Sequence, residues 1–128
     1  MSINDFPKLS NSIKKFENNL KGQKATADRY LDLLSTFEKD VKEPKEMEFF
    51  YYSKTRNNAN GLKKDLEKIG YKVYGIEKST ENQYSIIGVT PPINIEKDKF
   101  KNWIKYMNEI GFINDCDFDG WGTLSTLD

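Results

Sequence analysis

The sequence predicts an α+β domain in which an antiparallel sheet is built in the order β-α-β-β-α-β behind two N-terminal helices. Three observations predict it. First, one apolar pattern occurs twice. Ala59, Leu62, Leu66, Ile69 and Gly70 share their offsets with Phe100, Trp103, Met107, Ile110 and Gly111. Second, each copy follows a strand-like run, and each is followed by an aromatic, Tyr71 or Phe112, suited to opening another strand. Third, residues 1–45 have a different, polar and helical character.

The elements follow in order. Ile13, Phe16 and Leu20 share one helical face, and Gly22 is a natural stop. A second helix is expected from Thr26, with Leu31, Leu34, Phe37 and Val41 on one side, ended by Glu43-Pro44-Lys45. An open-faced sheet leaves one surface bare, and covering it is the preferred role for these helices; a partner-binding arm is the other. The first strand is Glu46 to Ser53. Side chains alternate along a strand, so two of Phe49, Phe50, Tyr51 and Tyr52 must face the helices.

Residues 59–70 form the next helix, with Gly70 as its left-handed cap. A strand from Tyr71 to Glu77 is joined by the polar loop Ser79-Thr80-Glu81-Asn82 to another from Gln83 to Thr90, which Pro91-Pro92 stop. Residues 100–111 give the last helix, capped by Gly111, before a final strand that contains Trp121. This is the ferredoxin-like plan, in which the first and third strands lie at the centre of the sheet. Those two are also the most continuously apolar. The domain reading is a helical segment over 1–45 and a ferredoxin-like domain over 46–128.

Composition narrows function by exclusion. The chain has 128 residues, with 20 basic and 20 acidic side chains. A protein built mainly to bind nucleic acid normally shows a basic excess. No apolar run is long enough for a membrane span, and the N-terminus is too polar for a secretory signal, so the expected location is cytoplasmic. The absence of histidine removes the commonest general base and zinc ligand, and the Ser-His and Cys-His nucleophile pairs. Cys116, the single cysteine, sits among carboxylates that raise a thiol's pKa, so a structural role is expected. Asn60-Gly61-Leu62 holds an isolated glycine, not a phosphate loop. Arg56 near the end of the first strand therefore lacks the glycine loop an acylphosphatase needs. No basic-aromatic RNA-binding signature stands on the third strand.

The most informative segment is Asp115-Cys116-Asp117-Phe118-Asp119-Gly120-Trp121-Gly122-Thr123. It begins as a calcium loop does, but the twelfth position would be Thr126, where a bidentate glutamate is needed. An acidic, glycine-bearing turn is the better chemical reading, and no metal site is expected. If the segment is extended, Asp115, Asp117 and Asp119 share a face, which is what an enzyme working through carboxylates would need. Trp103 reads as core; Trp121, between two glycines, reads equally as packing residue or interface anchor.

Asp119-Gly120-Trp121-Gly122-Thr123 resembles the closing motif of the RraB family, bacterial regulators of ribonuclease E. The resemblance extends over roughly 46–124, the β-α-β-β-α-β unit. It implies a non-catalytic, cofactor-free protein that binds ribonuclease E, inhibits its RNA-degrading activity and so alters RNA turnover. The partner-binding residues it implies are Asp117, Asp119, Gly120, Trp121, Gly122 and Thr123. The alternative is a small cytoplasmic binding protein of another class, an immunity protein or an RNA-binding domain.

Overall fold

Seven elements follow one another in the computed structural model, which describes residues 7–37, 43–79 and 83–123, and within the first helix the side chains of 13–33. They are α1 (Pro7–Phe37), β1 (Met47–Ser53), α2 (Arg56–Lys68), β2 (Lys72–Lys78), β3 (Tyr84–Val89), α3 (Lys97–Ile113) and β4 (Cys116–Thr123). The four strands form one antiparallel sheet in the order β2-β3-β1-β4. The two most apolar strands, β1 and β3, are at its centre.

Thr55 starts α2, because its side chain accepts a hydrogen bond from the Asn58 N–H at 3.1 Å. Gly70, with φ +85°, follows that helix in the left-handed conformation its sequence position implied. Gly111 is a correction. It is not the cap of α3 but an interior, buried residue of it. A Cβ there would lie 2.8 Å from Tyr51 Cε1 and 2.9 Å from the Cys116 carbonyl oxygen. The glycine lets helix and sheet approach closely, and Asp115, with φ +56°, makes the left-handed turn instead. Phe112 accordingly lies in the helix and opens no strand.

The two expected N-terminal helices are one. α1 runs without a break through Gly22. A glycine inside a helix costs only about 1 kcal/mol against alanine, and tertiary contacts beyond it offset that. The Thr26 hydroxyl, expected at a new helix start, bonds back to the Gly22 carbonyl at 3.1 Å across a continuing turn. Leu34 and Phe37 fall outside the described side chains, and Val41 outside the described residues.

The role expected for this segment also changes. α1 does not lie over the bare face of the sheet; it packs on α3 and on the edge strand β4. Lys101 of α3 pairs with Asp28 at 2.8 Å. Phe16 meets Phe112 with ring centroids 5.3 Å apart. Ala27 is fully buried in the same core cluster as Phe49, Phe100 and Trp103. Polar contacts reinforce the joint. Gln23 donates to the Phe118 carbonyl at 2.7 Å and accepts from the buried Asn108 Nδ2 at 2.7 Å. Asn108 Nδ2 also donates to the Ile104 carbonyl at 2.9 Å, so both N–H groups of its side chain have acceptors.

Candidate partner-binding surface

Strand pairing sorts every sheet side chain onto one of two faces. Toward α2 and α3 run the cross-strand rows Val73-Gly88-Phe49-Trp121 and Ile76-Ile86-Tyr51-Phe118. Phe49, Tyr51, Ile86 and Phe118 are buried, while Trp121 is half-buried against the cluster. The opposite face carries Lys72-Val89-Glu48-Gly122, Gly75-Ile87-Phe50-Gly120 and Glu77-Ser85-Tyr52-Asp117. Of the four β1 aromatics, then, Phe49 and Tyr51 are core. Phe50 and Tyr52 are half-buried on the other face, with Tyr52 across a cavity from Lys15 and Phe16 of α1.

The Asp-Gly-Trp-Gly segment owes its geometry to a β-bulge. Phe118 opposes Tyr51 and Gly120 opposes Phe50, so Asp119 is an extra residue between them. Phe118 and Trp121 are three apart and would face opposite ways in a regular strand. The bulge returns both to the helix side. Gly120 takes φ +144°, a value L side chains rarely adopt, so the bulge needs that glycine. Trp121 then packs edge-on against Tyr30 of α1 at 5.1 Å and Phe100 of α3 at 4.8 Å. Sequence reasoning missed the bulge; the odd spacing of two large aromatics around a glycine was its signal.

The bulge also separates the three aspartates. Asp115 is in the turn, Asp117 is on the open face opposite Tyr52, and Asp119 protrudes, exposed, at the extra position. Lys15 of α1 reaches Asp117 Oδ2 at 2.7 Å. The Asp119 carboxyl is raised above its ordinary pKa, first by burial and then by the neighbouring Asp117 charge. Asp119 and Glu48 have no ion-pair partner among the described residues. No group of three His, Cys, Asp or Glu side chains able to hold a metal occurs among the described residues either.

Cys116 is buried, with Sγ 3.5 Å from the Asn114 carbonyl and 3.6 Å from that of Asn58. Burial pushes its thiol up to about 11, aided by Asp115 and Asp117 and opposed by the Ser53 hydroxyl. Such a thiol is a poor nucleophile. Trp103 is core, 8% exposed, and its indole donates to the Tyr71 hydroxyl at 3.1 Å. Beside the open face, a cavity of about 540 Å³ lies between the first half of α1 and the ends of β1, α3 and β4, with Lys15, Phe16, Tyr52, Phe112 and Asp117 in its wall. No described helix is long and apolar enough to cross a membrane.

No curated protein matches the chain. The family model for RraB, Regulator of ribonuclease activity B, matches residues 24–123. That span begins inside α1 one residue after Gln23, takes in α2, α3 and all four strands, and ends on the last residue of β4. A match over this much of the chain assigns it: the protein belongs to the RraB family, the regulators of ribonuclease activity.

Proposed function

We propose that this chain is a non-catalytic regulator that binds a ribonuclease of the E type by protein–protein contact and lowers its RNA-degrading activity, slowing RNA turnover in the cytoplasm. The family match over 24–123 is the observation that carries this reading. Two features support contact without catalysis. The one thiol is buried with a raised pKa, and the acidic trio of the last strand is split between a turn, a face and a bulge. The acidic open face repels phosphate, which favours a protein partner over RNA.

The contact surface in this reading is the end of β4: Asp117, Asp119, Gly120, Trp121, Gly122 and Thr123. Asp117, Asp119 and Thr123 offer polar groups, and the two glycines keep the strand surface low. Trp121 serves indirectly, by holding the strand against Tyr30 and Phe100. No cofactor takes part. The element order and the strand order β2-β3-β1-β4 support reading 46–128 as a ferredoxin-like unit and 1–45 as a helical addition. The test is cleavage of a labelled RNA by purified ribonuclease E with increasing amounts of the protein. Slower cleavage is expected; an unchanged rate with no complex on gel filtration contradicts the reading.

A further inference from the structure

The zero net charge of the chain conceals a segregation. α2 carries Arg56, Lys63, Lys64 and Lys68 against Asp65 and Glu67. α3 carries Lys97, Lys99, Lys101 and Lys105 against Asp98 and Glu109. The helical side of the molecule is therefore basic. The open face of the sheet is the reverse. Its rows hold Glu48, Glu77 and Asp117, with Asp119 beside them, against Lys72 on the far edge strand.

Shape accompanies charge. On the β4 side the open-face positions are Gly120 and Gly122, and a Cβ at either would meet nothing within 4 Å. Next to them stands Phe50 on β1, with Ile87 beyond it on β3. The result is a low strip along β4, walled on one side by an aromatic ring and edged by Glu48, Asp117 and Asp119. The chain itself shows how one of these carboxylates accepts a cation: the Lys15 ammonium sits 2.7 Å from Asp117 Oδ2. Glu48 and Asp119 have no such partner among the described residues.

We propose that this strip docks a basic, arginine-bearing peptide segment of the partner protein, laid along β4 over Gly120 and Gly122. A guanidinium is planar, is weakly hydrated and pairs with carboxylates in a fork, so it can rest on the Phe50 ring while meeting Glu48 or Asp119. Nucleic acid has the wrong charge for this surface. The inference deepens the ribonuclease reading by naming the surface and the chemistry of what it receives, and it rests on that reading for the partner's identity.

The test is fluorescence anisotropy of a short labelled peptide alternating arginine with leucine, titrated with the full-length protein at low and high salt. Labelled poly(U) is run in parallel. Binding of the peptide is expected, weakened by salt and reduced at least about tenfold in a Glu48→Lys/Asp119→Lys variant. Glu48→Gln/Asp119→Asn keeps the shape and is expected to lose less; matched near-ultraviolet circular dichroism shows that each variant is folded. Equal binding by wild type and folded variants, preferential binding of poly(U), or no binding of the peptide overturns the proposal. Retention of ribonuclease E by the same variants separates the two readings. If the wild type and the charge-reversed variant retain it equally, this surface is wrong and the family reading stands. If the peptide binds as expected but the ribonuclease is not retained, the surface stands and the partner is a different protein.

Discussion

The two faces of one sheet are built from the same four strands and do opposite work. Strand β1 supplies Phe49 and Tyr51 to one side, fully buried, and Glu48 and Phe50 to the other, half-exposed. On the helix side, glycine occurs where atoms crowd. A Cβ on Gly88 would lie 2.3 Å from the Lys72 carbonyl oxygen and 2.4 Å from Phe49 Cζ. On the open side, Gly75, Gly120 and Gly122 would meet nothing. The lesson is that a glycine on this sheet has two meanings. Facing α2 and α3 it relieves packing, and facing away it keeps a surface low.

The contrast gives its largest effect in the aromatic pair. Phe49→Ala is expected to cost about 3–5 kcal/mol by opening a cavity in the core. Phe50→Ala, one residue along, is expected to cost about 1 kcal/mol. Urea midpoints of the two variants measure the difference, and equal losses would break the comparison.

A similar split is expected for glycine. Gly88→Ala forces a main-chain or Phe49 shift costing about 1–3 kcal/mol, whereas Gly122→Ala is expected to stay within about 0.5 kcal/mol. Gln23→Ala is smaller in its reach. It removes the donor to the Phe118 carbonyl and one partner of Asn108, a loss of about 1 kcal/mol, and hydrogen exchange should quicken in the first half of α1 before it does in α2.

The smallest effect is a pH dependence at the base of β4. The thiol of Cys116 is raised from 9.0 to about 11 in the folded protein. Its stabilising contribution is thus complete below pH 9 and is lost as pH rises toward 11, because only the unfolded chain ionises there. Tyr51, raised well above its usual value by burial, changes stability in the same direction at still higher pH. Cys116→Ser is expected to flatten the first part of that decline, read as urea midpoints across the alkaline range. An unchanged slope would mean that Cys116 is not buried as described.

Much of the helix side was legible in the sequence. The doubled pattern marked Ala59, Leu62 and Leu66 in α2 and Phe100, Trp103, Met107 and Ile110 in α3, all buried. It overreached at Ile69, which is 39% exposed, because α2 ends at Lys68 and the chain turns away there. It also overreached at Gly111, where glycine means close approach and not termination, a distinction that needs the neighbouring Tyr51. The continuity of α1 was hidden for a related reason. Gly22 reads as a stop on local propensity, while Gln23, Ala27 and Tyr30 hold the helix together through α3 and β4 contacts distant in sequence.

The open face was less legible. Its charge is spread over β1, β2 and β4, and only the strand register brings Glu48, Asp117 and Asp119 to one side. The family motif lies on β4, and the bulge at Asp119 decides which of its residues look outward. Without it, Trp121 and Phe118 cannot both join the core.

The most direct measurement of this division of labour is ribonuclease E activity on a labelled RNA in the presence of wild-type protein or of Glu48→Lys/Asp119→Lys, with the urea midpoint of each recorded alongside. The account predicts that the wild type slows cleavage and that the charge-reversed protein, with its midpoint unchanged, no longer does. Full inhibition by the charge-reversed protein would contradict it, because the open face would then have no part in the contact.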